Sequence, residues 1–342
     1  VITGTPPKTV EWNFGGGAEP NITTERTPTV TLGDEGRYDA TLSVTSPYGE
    51  DSENFTLTVG PADSDWMFYL VDEGSRFELP SLAVVDGRPA IGYNDYGPSG
   101  TGPLKQKYAI NSDLDGSGEW LLSVPVQHEV PTSRTGWAPK LVKYEGGAAY
   151  LFHQDYTLRL AFNTSPDGNA EWQTFHVAEE RRAYGLCPGL VAAGNRLAVS
   201  YYFEHSSIQG SACDLRLAVS GSAGELDTWT ISDIHAEPEQ EYMGYGRHSS
   251  LVVLDGRLAV AYYAYPLNEY LHEAELWFSI NDELDGSGEW KRYLIERSDG
   301  GVATGMYPSL AQVDGRPAIA YSRQEHGTPG GNPLSLIHIS EP

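Results

Sequence analysis

Guanidinium, carboxylate, imidazole and aromatic side chains recur at two kinds of position along this 342-residue chain, just before or just after short apolar runs. Arg76, Arg134, Trp137, Arg247 and His248 stand before such runs, with Met306 and Tyr307. Asp95, His153, Asp155, Tyr202, Glu204, Tyr263, Arg323 and Glu325 stand after them, with Tyr265. Aromatic rings stack on the apolar face of a sugar, and the charged groups hydrogen-bond its hydroxyls. All of these except Met306, Tyr307 and Tyr265 form the candidate ligand-binding set. Asp95, Asp155, Glu204 and Glu325 could also supply the paired carboxylates of glycoside hydrolysis, which needs two of them about 5–9 Å apart. The chain has no G-x-S-x-G elbow, no H-E-x-x-H and no phosphate loop.

Two turns are rich in oxygen, 111–120 (NSDLDGSGEW) and 281–290 (NDELDGSGEW). Asp113, Asp115 and Glu119 in the first, and Asp282, Asp285 and Glu289 in the second, recur at near-alternate positions that can wrap Ca²⁺. A complete calcium loop adds a third carboxylate and a fixed closing Glu, which both turns lack. A structural role without any cofactor is therefore the preferred expectation, with Ca²⁺ as its alternative. Cys187 and Cys213 are the only cysteines. They open two strands at the same end of one repeat, so a disulfide is geometrically feasible, with two buried thiols as the alternative. No Cys/His cluster suggests zinc.

The elements that must carry these groups repeat. Residues 80–93 (PSLAVVDGRPAIGY) return at Pro139, Pro188, Ser249 and Pro308, at spacings of 59, 49, 61 and 59 residues. A tryptophan follows a turn at Trp66, Trp120, Trp172, Trp229 and Trp290. A short strand precedes each of the last four. Each unit thus holds four strands, the first two joined through Asp86-Gly87, Asp255-Gly256 or Asp314-Gly315, a pair that favours the type I′ turn. Four-stranded units of about 50–60 residues are the mark of a β-propeller, whose blades stack because none buries its faces alone. At least five blades are expected, the last incomplete, with Trp66 opening the region as a lone outer strand.

Residues 1–60 alternate apolar and polar, as half-buried strands of a sandwich do. Trp12-Asn13-Phe14-Gly15-Gly16-Gly17, Gly36-Arg37-Tyr38 and Thr41–Val44 resemble the PKD domain, an immunoglobulin-like β-sandwich whose opening strand is missing here. The turn Ser165-Pro166-Asp167-Gly168-Asn169-Ala170-Glu171-Trp172 resembles the Asp-box of sialidase-type propellers. That resemblance implies a structural box whose Trp packs between blades. It also implies three arginines on a substrate carboxylate and a Tyr–Glu nucleophile pair. Arg76, Arg134 and Arg247 occupy comparable positions, but the family's F/Y-R-I-P opening is absent. Residues 334–342 (LSLIHISEP) resemble a translated sequencing-library adaptor, which reads the chain as an open metagenomic fragment of bacterial or archaeal character.

The expected class is all-β: a truncated PKD-like sandwich at 1–60, a linker at 61–64, a propeller at 65–333 and an adaptor-derived tail at 334–342. With 22 Lys and Arg against 47 Asp and Glu, the net charge of −25 argues against nucleic acid or an anionic membrane as partner. No apolar run is long enough for membrane insertion. The expected function is recognition of a glycan or protein ligand by the propeller face of a secreted or cell-surface protein, part of a larger multidomain chain. A sialidase-like glycoside hydrolase is the alternative, and a structural repeat of a large adhesin is the second alternative.

Overall fold

The computed structural model describes residues 9–34, 36–47, 49–59, 68–74, 76–97, 103–129, 139–154, 157–178, 183–207, 210–222, 224–236, 243–266, 274–298, 302–325 and 334–339. Among them every regular element is a strand, and no helix is long and apolar enough to cross a membrane. The chain divides into two units, Val1–Phe68 and Tyr69–Pro342. The expected linker and Trp66 lie outside the described residues.

The first unit holds β1 (Thr9–Asn13), β2 (Ala18–Glu19), β3 (Ile22–Thr23), β4 (Thr31–Leu32), β5 (Gly36–Ser46) and β6 (Gly49–Val59). They form a sheet of order β3-β1-β5-β6 and a separate β2–β4 pair. Val10, Phe14, Ala18, Ala40 and Val59 are its buried apolar side chains among the described residues. Trp12 stacks on Phe14 at 6.1 Å and meets Phe55 edge-on at 6.3 Å. Gly15 is obligatory: φ is 65°, and a Cβ there would lie 2.2 Å from the Asp39 carbonyl oxygen.

The second unit is a β-propeller. Blade 1 comprises β7 (Phe77–Val85), β8 (Arg88–Asp95), β9 (Leu104–Asn111) and β10 (Trp120–His128). Blade 2 comprises β11 (Lys140–Tyr144), β12 (Gly147–Gln154), β13 (Thr157–Asn163) and β14 (Gln173–Ala178). Blade 3 comprises β15 (Ala183–Ala193), β16 (Arg196–Ser207), β17 (Gly210–Ser220) and β18 (Trp229–His235). Blade 4 comprises β19 (Met243–Leu254), β20 (Arg257–Pro266), β21 (Glu275–Asn281) and β22 (Trp290–Arg297). Each is an antiparallel meander in chain order. Blade 5 pairs β23 (Val302–Val313), β24 (Arg316–Glu325) and β25 (Leu334–Ile339).

β25 falls within the segment read above as an adaptor-derived tail. Ala318 to Arg323 of β24 pair with Ile339 to Leu334. The physical reason is the open edge of β24, whose N–H and C=O groups take up a short apolar segment as a third strand.

The hairpin turns follow the Asp-Gly signal. Asp86, Asp255 and Asp314 have φ of 48–52° and are each followed by a glycine at 76°, as a type I′ turn requires. Glu145-Gly146 does the same in blade 2, at 46° and 79°. The blades stack through the outer strands. Trp172 lies 5.4 Å from Tyr108 of blade 1. Trp229 packs into the cluster of blade 2 and Trp290 into that of blade 3. Six residues further along, each outer strand meets the following blade. Ala178 packs with Tyr201, the His235 Nδ1 lies 2.7 Å from the Tyr262 hydroxyl, and Tyr321 donates to Glu296. Each buried aromatic of this kind contributes on the order of 2–3 kcal/mol.

The turn before each Trp is organised by a residue that the box pattern omits. Asn111 accepts the N–H groups of Asp113 and Gly118 and donates to the carbonyls of Gly116 and Gly118, at 2.9–3.0 Å. Asn281 and Asn163 make the corresponding bonds in their own turns. In blade 3 the position is Ser220, whose hydroxyl accepts from the Leu197 N–H at 2.9 Å.

Candidate functional site

The innermost strand of four blades carries a bulge at one height. Pairing with the second strand shifts between Glu78 and Ser81, between Tyr184 and Gly189, between Tyr245 and Ser249, and around Met306. Positive φ at Leu79, Gly246, Gly305 and Tyr307 marks the same places. A bulge re-aims side chains. Arg247 and His248 sit in one, and Tyr307 in another.

These bulges bring together predicted residues from three blades. The Tyr202 hydroxyl donates to Cys213 Sγ at 2.5 Å and lies 2.8 Å from the Tyr265 hydroxyl. Tyr265 stacks on Tyr263 at 5.8 Å, Tyr263 on His248 at 6.0 Å, and His248 on Tyr307 at 4.2 Å. The Arg247 guanidinium lies 5.3 Å from the centre of the Tyr265 ring. Glu204 pairs with Cys213 across β16 and β17. Tyr202, Tyr263 and His248 are buried, whereas Tyr307 and Arg247 are exposed. A row of five rings thus runs from blade 3 to blade 5, with its outer edge and one cation open to solvent.

Burial governs the electrostatics here. It pushes the Tyr202 hydroxyl far above the ordinary phenol range, so this group is no nucleophile at neutral pH. Burial likewise raises Tyr265 and Tyr263. Burial first, then the charge of Arg247, lowers His248 to about 4, so its imidazole is neutral at physiological pH. Its Nδ1 is buried without a hydrogen-bond partner.

Other candidates lie elsewhere. Arg76 is held by Glu78 at 2.8 Å and lies over Tyr96 at 5.3 Å. Asp95 and Asp72 share Lys107, at 3.1 and 2.6 Å, and Tyr93 also donates to Asp72 at 2.7 Å. Burial opposes the charge on Asp72, but hydrogen bonds from Lys107 and Tyr93 outweigh it and hold the carboxyl low. His153 is buried within β12. Arg323 reaches Glu296 at 3.9 Å. Glu325 closes β24, and its side chain lies outside the described residues, as do Arg134, Trp137 and Asp155.

A Tyr–Glu pair with an arginine nearby does exist, at Tyr321, Glu296 and Arg323. It occupies the inter-blade position that His235 and Tyr262 fill one blade earlier, and Asp72 and Tyr93 fill at blade 1.

One expectation changes. The Cys187–Cys213 bridge is not formed, and both cysteines are free. Cys187 lies on the first strand of its blade and Cys213 on the third. One strand separates them, which sets the Cα atoms about 9–10 Å apart, beyond disulfide reach. In the oxygen-rich turns, the carboxylates turn to neighbours. Asp115 and Asp285 accept from Ser117 and Ser287, and Asp282 pairs with Lys291 at 2.8 Å and Arg257 at 3.7 Å. Among the described residues no three His, Cys, Asp or Glu side chains converge.

No family model matches this chain, and no curated protein matches it either. Solved structures do. A GH32 β-fructofuranosidase of Bombyx mori in complex with sucrose is 14% identical, with a TM-score of 0.45. The match covers 78% of this chain and 60% of that one, so this chain spans less than two thirds of its length. A Penicillium chrysogenum α-L-arabinanase complexed with arabinobiose is 12% identical, with a TM-score of 0.45 over 77% of this chain and 93% of that one. The GH93 α-L-arabinofuranosidase of Fusarium graminearum with arabinobiose is 12% identical, with a TM-score of 0.47 over 78% and 95%.

Proposed function

We propose that the ring row of blades 3 to 5 is a carbohydrate-recognition surface, and that the chain is a secreted or cell-surface glycan-binding protein. The first unit serves as a PKD-like spacer. One observation carries the reading: the Tyr202–Tyr265–Tyr263–His248–Tyr307 row ends in the exposed ring of Tyr307, and the exposed Arg247 guanidinium lies over its Tyr265 ring. A sugar offers C–H faces to an aromatic ring and hydroxyl edges to charged groups, and this surface supplies both. Arg247 donates only, while Glu204 accepts, so the two ends of one hydroxyl network have partners.

The second reading is glycoside hydrolysis, favoured by the placement of Glu204 beside Cys213 in the same cluster. Affinity electrophoresis of the full chain in gels containing arabinan, fructan or sialylated mucin tests binding. Retardation by one polymer, weakened at least tenfold by Arg247→Ala and by Tyr307→Ala, supports recognition. Release of reducing sugar that disappears in Glu204→Gln moves the reading to hydrolysis. No retardation and no release on any of the three polymers sinks both.

A further inference from the structure

Away from the ring row, a cavity of about 430 Å³ lies between blade 4 and the β23–β24 turn of blade 5. Its walls are apolar. Leu254, Phe278 and Ile280 are buried, and Pro317 faces them from blade 5. The Tyr293 ring lies 6.2 Å from that of Phe278, and Tyr293 is half-exposed. The volume falls in the range of small-molecule sites.

The rim is cationic. Arg257, Lys291 and Arg316 border the cavity. Asp255 borders it too, and its carboxylate accepts from Gln312 Nε2 at 2.7 Å. Asp282 lies 2.8 Å from Lys291 and 3.7 Å from Arg257. Three cations against two carboxylates leave the rim positive, in a chain whose net charge is −25.

The same wall recurs in blade 1, where its contacts show what it holds. Phe278 stands three residues before Asn281, as Tyr108 stands before Asn111. Arg257 follows Asp255-Gly256, as Arg88 follows Asp86-Gly87. Tyr108 meets an indole ring edge-on at 5.4 Å, and Arg88 donates to a carboxylate at 2.6 Å. An aromatic ring and an anion are thus the pair of groups that this wall accepts.

We infer that the cavity between blades 4 and 5 binds a small aromatic anion, its ring against Phe278 and Tyr293 and its carboxylate or sulfonate on Arg257 and Lys291. A neutral sugar fits poorly, because its hydroxyls would lose water against Leu254, Ile280 and Pro317 without gaining a partner there. A neutral arene would leave the cations without a counter-charge. The site is separate from the ring row and takes a different class of ligand.

The test is calorimetric titration of the full chain with 2-naphthoate. One site is expected, with a Kd of about 1 mM or tighter. Affinity should fall about tenfold for Arg257→Ala, and about tenfold for 2-naphthylmethanol, which keeps the rings and lacks the charge. Gln312→Trp, which places an indole at the rim, should abolish binding while circular dichroism stays native. No binding of the naphthoate overturns the proposal, as does equal affinity for the alcohol. Binding by the peptide of residues 165–172 but not by 2-naphthoate assigns the cavity to a protein segment and also overturns it. Should the variants fail to fold, photo-cross-linking of benzophenone-4-carboxylate to the unaltered chain reads the same site. Label on Phe278, Tyr293 or Pro317 supports the proposal, and label confined to other residues overturns it.

Discussion

Arg88 of blade 1 donates from Nη2 to the Asp167 carboxylate of blade 2 at 2.6 Å. The arginine belongs to a hairpin turn and the aspartate to the turn before Trp172, so one bond ties two repeated turns across a blade boundary. The pair is partly screened by solvent, and a bond to a charged group in that setting contributes about 1–2 kcal/mol. Arg88→Ala and Asp167→Asn should each lower unfolding free energy by about that amount. A double-mutant cycle by urea denaturation should give a coupling near 1 kcal/mol. Additive losses would mean that the contact has no energetic weight.

The Asn281 amide both donates and accepts inside its turn. Asn281→Ala should cost about 2–4 kcal/mol, since several buried backbone groups lose their partners. Asn281→Asp should be as damaging, although its shape is nearly the same, because a carboxylate cannot donate to the carbonyls of Gly286 and Gly288. Thermal unfolding of the two variants checks this. A tolerated Asp would show that the donor side of the amide is dispensable.

His248 gives the fold a pH dependence of defined sign. Its folded pKa is depressed to about 4 from an ordinary 6.5, so between those values the unfolded chain binds more protons than the folded one. The contribution is fully present above pH 6.5 and is lost as pH falls through 4, with an upper size of about 3 kcal/mol. His248→Gln should flatten the stability profile between pH 6.5 and 4 in denaturant titrations. An unchanged slope would assign the titration to other groups.

Cys213 should behave as a silent thiol. Burial pushes it up to about 12, against the hydrogen bond from Tyr202, and burial raises Cys187 as well. A thiol so shifted holds about a thousandfold less thiolate at pH 8 than an ordinary one. Ellman titration of the native chain should therefore leave Cys213 unreacted until urea is added. Above pH 9 the unfolded thiol loses its proton first, so this residue should erode stability as pH rises.

Much of this architecture was legible in the residues. The returning P-S-L…D-G-R…A-I-x-Y pattern marks the hairpins, and the Asp-Gly turns adopt the positive φ values that their sequence demands. Trp172, Trp229 and Trp290 pack between blades. Of the candidate residues, Tyr202, Glu204, Arg247, His248 and Tyr263 converge: the β19 bulge carries Arg247 and His248, and the other three lie on the second strands β16 and β20. Arg76 and Asp95 do not join them, since nearby opposite charges at Glu78 and Lys107 capture them. Such capture depends on which strands lie side by side, and the order of residues does not disclose it. The organising asparagine was available to a closer reading. Asn111, Asn163 and Asn281 each stand nine residues before a tryptophan. The Asp72–Tyr93 contact had no such signal, because its two residues belong to different repeats.

The outer strands of blades 2 to 4 each grip the blade behind through a tryptophan and the blade ahead six residues later. A blade in this chain is therefore no independent folding unit. Loosening one outer strand uncovers apolar surface on two neighbours at once, and each of those then loses half of its own support. Melting should spread in both directions as a single concerted transition, unlike the end-to-end fraying of a linear repeat array.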